Sequence, residues 1–294
     1  MAAVIQTVAY RRPSALDGGR LALQTAGGGP YLFAGTLTEP RASAVALAVL
    51  ADLAGTDFRR AGPAAHDPIV TGGDDRLRAE ALTACGGVYA RLDLLPAALD
   101  GEFPEPGSAA VDVNPALCDA LSRVGAAEAL RLTVGADDPA SSGQKPVRKR
   151  VPAPERWLHA LAGAVPTASG MDLRTQLDGP AAAALLHRLP THHGRDVRWL
   201  LPAGRSVRMT TAAAAGAVCL AGAYRLAALR PLLPMLRALR LYGPPATALS
   251  PPLASGWELD LGLVRFAVLL SPAVDRGLSP AAPSESAVHD WFAT

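Results

Sequence analysis

The sequence has little of what usually betrays a chemistry. Three cysteines, Cys85, Cys118 and Cys219, lie far apart in 294 residues. An odd, scattered set suits neither a disulfide framework nor the paired C-x-x-C spacing of a zinc site. They read as buried thiols of a reducing compartment, which makes the cytoplasm the expected location. An excess of one charge is also lacking, since 28 basic residues face 26 acidic ones for a formal net charge of +2. That balance provides no strong overall field for an anionic membrane or a nucleic-acid backbone, so nucleic-acid binding is disfavoured. No apolar run approaches the roughly 18 residues of a membrane helix. The longest candidate, Ala212 to Ala223, is short and rich in Ala and Gly. The start, Met1-Ala-Ala-Val-Ile-Gln, has no basic segment followed by an apolar core, and no targeting segment is expected.

What is present is an ordinary globular composition, half apolar and 18% charged, long enough for one large domain or two of usual size. Strand-like alternation marks Val4 to Tyr10, Leu21 to Leu23 and Tyr31 to Phe33, separated by Asp17-Gly18-Gly19 and Gly27-Gly28-Gly29-Pro30. These predict an antiparallel meander with the glycine run as a hairpin turn. Helical spacing of Val45, Val49 and Leu53 follows Pro40 and stops at Gly55. Further strands are predicted at 68–71, 76–82 and 88–94. A short helix is capped by Asn114 with Pro115 behind it. Residues 130–134 and 147–151 are expected to pair across a polar hairpin loop, and Glu155 to Leu161 forms a helix. Val165 to Gly170 is the best border, giving domains 1–166 and 167–294 that can also pack as one unit. Beyond it come a strand at 172–177, a helix opened by Asp178 and Pro180, and strands at 197–201, 207–210 and 217–220. The strongest helical pattern is Arg225 to Arg240, with leucines at 226, 229, 233 and 236 and a break expected at Pro231 and Pro234. Strands at 239–242, 257–261 and 264–269 close the pattern. Without a regular βαβ rhythm the class is α+β, with mixed, largely antiparallel sheets and a few covering helices.

Candidates for chemistry are few, and each has a plainer reading. His187, His192 and His193, with Asp196 next, are ligand types that zinc prefers, but Pro190 interrupts any shared helix face and a solvated loop explains them. Cys85, between Ala84 and Gly86-Gly87, could act as a nucleophile beside a base, yet no histidine is near in sequence and cysteine is commonly buried. Asp93 is the remaining carboxylate for a site between the two halves. The glycines at 27–29 lack the Lys-Ser/Thr of a phosphate loop. Arg148-Lys149-Arg150, with Lys145 and Arg156 nearby, forms the one compact basic cluster. Strand alternation would send Arg148 and Arg150 to one face, either as a solvated edge or as contact with an acidic partner. Arg225, Arg230, Arg237 and Arg240 are expected on the polar side of the long helix. No residue reads as a metal ligand or cofactor contact above this background.

Several stretches are more particular: Tyr10-Arg-Arg-Pro-Ser14, Asp67-Pro-Ile-Val-Thr71, Cys85-Gly-Gly-Val-Tyr-Ala-Arg-Leu-Asp-Leu-Leu-Pro96, Val111-Asp-Val-Asn-Pro115 and Pro154-Glu-Arg-Trp-Leu158. Together with Trp257-Glu-Leu-Asp-Leu261 and Leu270-Ser-Pro272, they resemble the amino-terminal region of actinobacterial SWIM zinc-finger family proteins. The resemblance implies a region preceding a winged-helix-like segment and a finger whose Cys-x-Cys and Cys-x-His pairs bind zinc. This chain has neither pair, so no zinc ligand carries over. The family also resembles components of gene clusters that encode a MoxR-type AAA ATPase and a von Willebrand A-type protein, which implies an adaptor role. The leading expectation is therefore a non-catalytic interaction module without cofactor, acting through exposed sheet edges or through Arg148, Lys149, Arg150, Arg225 and Arg237. The alternatives are an enzyme using Cys85, Asp93 or the His187 to His193 segment in an inter-domain pocket, and a nucleic-acid-binding module.

Overall fold

Alternating apolar and polar residues put one face of each strand on a shared core, and the elements that result are mostly short strands. The computed structural model describes residues 5–58, 67–73, 75–135, 146–152, 154–194, 196–273 and 278. The chain begins with β1 (Ile5–Tyr10), β2 (Ala15–Asp17), β3 (Arg20–Leu23), β4 (Phe33–Leu37) and helix α1 (Pro40–Ala54). Next come β5 (Ile69–Gly72), β6 (Leu77–Leu82), β7 (Val88–Leu94), β8 (Leu99–Glu102) and β9 (Gly107–Ala110). Helix α2 (Pro115–Ser122) leads to β10 (Leu130–Val134), β11 (Val147–Pro152), α3 (Pro154–Ser169), β12 (Asp172–Asp178) and α4 (Gly179–Arg188). The rest is β13 (Val197–Ala203), β14 (Ser206–Thr210), β15 (Val218–Ala221), a 3₁₀ segment Ala223–Met235, β16 (Ala238–Gly243), β17 (Ser255–Asp260) and β18 (Val264–Leu270).

Among the described residues four sheets form, ordered β12-β16-β17-β18-β7-β6-β5-β9, β2-β3-β10-β4-β8, β14-β13-β15 and β1-β11. Every pairing is antiparallel except β3 with β10, which makes the protein α+β with mixed, largely antiparallel sheets. Helix α1 starts with Pro40 at its first turn, where a missing N–H costs nothing, and is buried over most of its circumference. Its Val45, Val49, Leu50 and Leu53 share one core with Leu21, Leu37 and Leu132 of the five-stranded sheet and Leu77, Leu92 and Val268 of the eight-stranded one. Asn114 and Asp178 cap α2 and α4 as expected, accepting from the backbone N–H of Leu117 and Ala181, each at 3.0 Å.

Long-range pairing departs from the expected local hairpins. β1 does not join a meander but pairs with β11, while β3 and β4 flank β10. The run Ala26–Gly28 is a 3₁₀ turn that carries the chain across β10, so it is not a hairpin turn. β10 and β11 likewise do not pair, and most of the polar segment between them lies outside the described residues. The border expected after residue 166 falls inside α3, and β18 pairs with β7, so a cut there would sever both a helix and a continuous sheet.

The helix expected over Arg225 to Arg240 is corrected most. Pro231 and Pro234 each remove a helical donor, the segment keeps only 3₁₀ turns to Met235, and the chain then enters β16. Arg225 is not on a polar face: it is 1% exposed. Its Nε donates to the Gly222 carbonyl at 3.4 Å, and Nη1 donates to Gly87 O (2.8 Å) and Ser271 Oγ (3.2 Å). Nη2 donates to Ala221 O (2.6 Å) and Ser271 O (2.8 Å). All five guanidinium donors are thus used, without a carboxylate among the acceptors. Burial pulls its pKa down to about 10 despite the nearby Tyr224, Cys85 and Cys219. Arg225→Met keeps the aliphatic length and strands these acceptors, so a loss of about 3 kcal/mol or more is expected in urea denaturation. A change below about 1 kcal/mol would mean that water replaces the guanidinium there.

Candidate protein interface

The residues singled out for chemistry do not converge. Cys85 is buried in the turn before β7, with its sulfur 3.4 Å from Thr83 Oγ1. Asp93 lies at the far end of that strand, and β7's ends are roughly 20 Å apart at about 3.3 Å per residue. The Asp93 carboxylate is 1% exposed and ion-paired with Arg78 Nε at 2.8 Å and Arg91 Nε at 2.7 Å. His187, His192 and His193 are all exposed. His187 occupies the last turn of α4, while the His193 ring stacks 4.5 Å from the ring of buried Tyr224. Among the described residues no group of three or more His, Cys, Asp or Glu side chains could hold a metal ion.

The basic cluster on β11 divides as strand alternation predicts, and its members take different roles. Arg148 is exposed, and Arg150 shares its face by register, its side chain lying outside the described residues. Lys149 turns inward and is a structural tie instead of a surface contact. Its Nζ donates to Asp67 Oδ1 (2.6 Å) and the Val113 carbonyl (3.1 Å), forms an ion pair with Asp112 Oδ1 at 2.7 Å, and sits 5.5 Å from the Tyr10 ring centroid. Tyr10 donates its hydroxyl to Asp67 Oδ2 at 2.7 Å, and Asp112 Oδ2 accepts from the Ser14 N–H at 2.6 Å. Arg237 is 66% exposed and pairs with Glu39 at 3.1 Å beside a cleft of about 350 Å³ at the start of α1. Arg41, Ala126 and Met235 also line this cleft, which contains no thiol or imidazole.

One signal is hidden by the overall charge balance. Between Asp178 and Glu258 the chain carries nine arginines and three histidines against a single acid, Asp196. A charge count in windows, in place of the whole-chain sum, would have found it. Folding sorts these arginines. Arg225 is consumed in the core, Arg240 pairs with Glu258, and Arg230 donates to the carbonyls of His187 and Leu189. Arg205, 93% exposed, and Arg198 keep only distant acids, Asp178 at 3.5 Å and Asp196 at 3.6 Å. Arg188 and Arg208 are also exposed, and among the described residues Arg208 has no ion pair. The β13–β14 hairpin therefore carries exposed Arg205 and Arg208, with Met209, on the same strand as Arg208, 41% exposed.

No protein-family model matches the chain. No curated protein does either. Among solved structures, the proliferating cellular nuclear antigen of Entamoeba histolytica is similar over 82% of this chain and 99% of that chain, at 12% identity and a TM-score of 0.47. A likeness of that size carries no functional argument, and the reading below rests on the chain's own geometry. No helix of the described residues is long and apolar enough to cross a membrane.

The Lys149 tie makes stability depend on alkaline pH. Burial acts to lower the Lys149 pKa, but the hydrogen bonds and charges of Asp112 and Asp67 outweigh it and raise the value. A raised amine contributes stability that is complete below its unfolded pKa and lost as pH rises through the folded one. Tyr10 is also raised, by burial and then by Asp67, so its phenol resists ionising while the unfolded chain ionises freely. Urea midpoints are expected to be level up to about pH 9 and to fall above about pH 10, with a shallower fall in Tyr10→Phe. A level profile to about pH 11 would contradict the inward placement of Lys149.

Proposed function

We propose that this chain is a non-catalytic protein-interaction module that presents the basic β13–β14 hairpin to an acidic partner protein. The observation that carries the reading is a contrast in placement. The groups able to do chemistry are scattered, buried or neutralised, whereas the β13–β14 hairpin presents exposed Arg205 and Arg208 together with exposed Met209. Catalysis needs a nucleophile, a base and an orienting group within hydrogen-bond reach, and Cys85, Asp93 and the histidines do not provide that constellation. An interface needs an accessible surface, and charge there raises association rates and rejects wrong partners.

The resemblance to SWIM-family proteins extends the proposal to a partner class. A MoxR-type AAA ATPase or a von Willebrand A-type protein would be the acidic partner, with this chain as the adaptor. The test is an affinity capture from nuclease-treated lysate, with bound proteins identified by mass spectrometry and the bait assayed for zinc. The chain is expected to retain a partner that the triple variant Arg198→Glu, Arg205→Glu, Arg208→Glu loses by about tenfold or more, the scale of reversing several interfacial charges. Cys85→Ala and the double change His192→Ala, His193→Ala should leave capture unchanged. Stoichiometric zinc in the bait, or capture abolished by Cys85→Ala with the fold intact, would overturn the reading.

A further inference from the structure

We infer that the open edge of β14 takes up an extended segment of alternating apolar and acidic residues from the partner protein, as an added antiparallel or parallel strand. The inference rests on the interaction-module reading and specifies its site and ligand.

Among the described residues β14 is hydrogen-bonded on one side only, to β13, through the register Trp199–Thr210, Leu200–Met209, Leu201–Arg208, Pro202–Val207 and Ala203–Ser206. In an antiparallel pair, opposed residues alternate between exchanging two hydrogen bonds and exchanging none. Pro202 has no N–H to exchange, so its pair with Val207 takes the second kind. The two-residue connection Gly204-Arg205, with Gly204 at φ +62°, closes on Ala203–Ser206 and agrees with that phase. By alternation, the N–H and C=O groups of Val207 and Met209 point away from β13 into the open edge.

Side chains complete the specification. Val207 and Met209 share a face with Leu200 and Pro202, while Arg208 lies on the opposite face with Trp199 and Leu201. An incoming strand would place apolar side chains beside half-buried Val207 and exposed Met209, and a carboxylate beside Arg208, with Arg205 near one end. Two edges of the larger sheets lack this combination. β12 is interrupted by a register shift between Leu173 and Thr175, with Arg174 bonded across to the Gly243 carbonyl. β8 carries Asp100 and Glu102 and would repel the same ligand.

The probe is a capped heptapeptide, Glu-Val-Glu-Val-Glu-Val-Glu, carrying a fluorophore, titrated with the full chain and read by polarisation. Saturable binding is expected, weakened about tenfold by Arg208→Glu and by Val207→Pro, which removes one edge donor. N-methylation of the peptide at alternate valines should weaken binding by a similar factor in one of the two phases. This change leaves the protein untouched and so covers the case in which Val207→Pro misfolds. Absence of saturable binding, or binding indifferent to N-methylation and Val207→Pro, overturns strand addition. If the lysate partner is still lost by the triple arginine variant in that case, the interaction-module reading survives. Binding of oligothymidylate in place of the heptapeptide, lost in the triple variant, would assign the surface to nucleic acid and overturn both.

Discussion

The buried guanidinium of Arg225 is the interaction on which the arrangement of the second half depends. Its five donors reach three separate parts of the chain: the turn before β7, the end of β15 and the residue that follows β18. Those parts belong to the eight-stranded sheet and to the small β14-β13-β15 sheet, so one side chain fixes how the two sheets meet. Leu278 N–H bonds Gly86 O, and Ser271 N–H bonds Gly87 O at 3.0 Å, which adds the last described segment to the same turn. A charge held by carbonyl and hydroxyl dipoles without a carboxylate is costly to bury, and burial lowers its pKa accordingly. The arrangement is stable because no donor is left unmet; losing one acceptor segment would leave a charge without enough partners.

The Lys149 tie acts similarly on segments of the first half of the sequence. It draws the β1–β11 ribbon onto Asp67 and Asp112, while Asn114, which donates to Asp112 and the Ser14 carbonyl, caps α2 from the same network. Lys149 and Arg225 thus each tie several segments together, the first mainly through carboxylates and the second mainly through carbonyls. The consequence for function is a division of labour among basic residues. Those that find several acceptors are withdrawn from the surface, while Arg205 and Arg208, at the turn and on the edge strand of the small three-stranded sheet, stay exposed where few acceptors are near.

Much of the local structure was legible in the sequence. The 3.6-residue spacing of α1, the caps at Asn114 and Asp178, the alternation on β11 and the strands from β5 to β7 and from β16 to β18 depend on near neighbours. The disruptive effect of Pro231 and Pro234 was equally local, although its outcome was a 3₁₀ segment and a strand in place of one kinked helix. The candidate interface was half legible. Strand β14 was visible, but the whole-chain balance of charge concealed the scarcity of acids between Asp178 and Glu258.

By itself, the sequence determined the class, the lengths and periods of the elements, the absence of paired metal-ligand spacing and the scarcity of acids between Asp178 and Glu258. Those properties follow from residues a few positions apart, where backbone sterics and side-chain periodicity act. Only the tertiary structure decided that β1 finds β11, that β3 and β4 flank β10, that Arg225 is a core residue and that β14 is paired on one side only among the described residues. The physical reason is that strand pairing and burial of charge are satisfied by partners far along the chain. Arg225 and Arg205 have the same side chain; one is enclosed by Gly87, Ala221 and Ser271, the other stays 93% exposed with Asp178 at 3.5 Å.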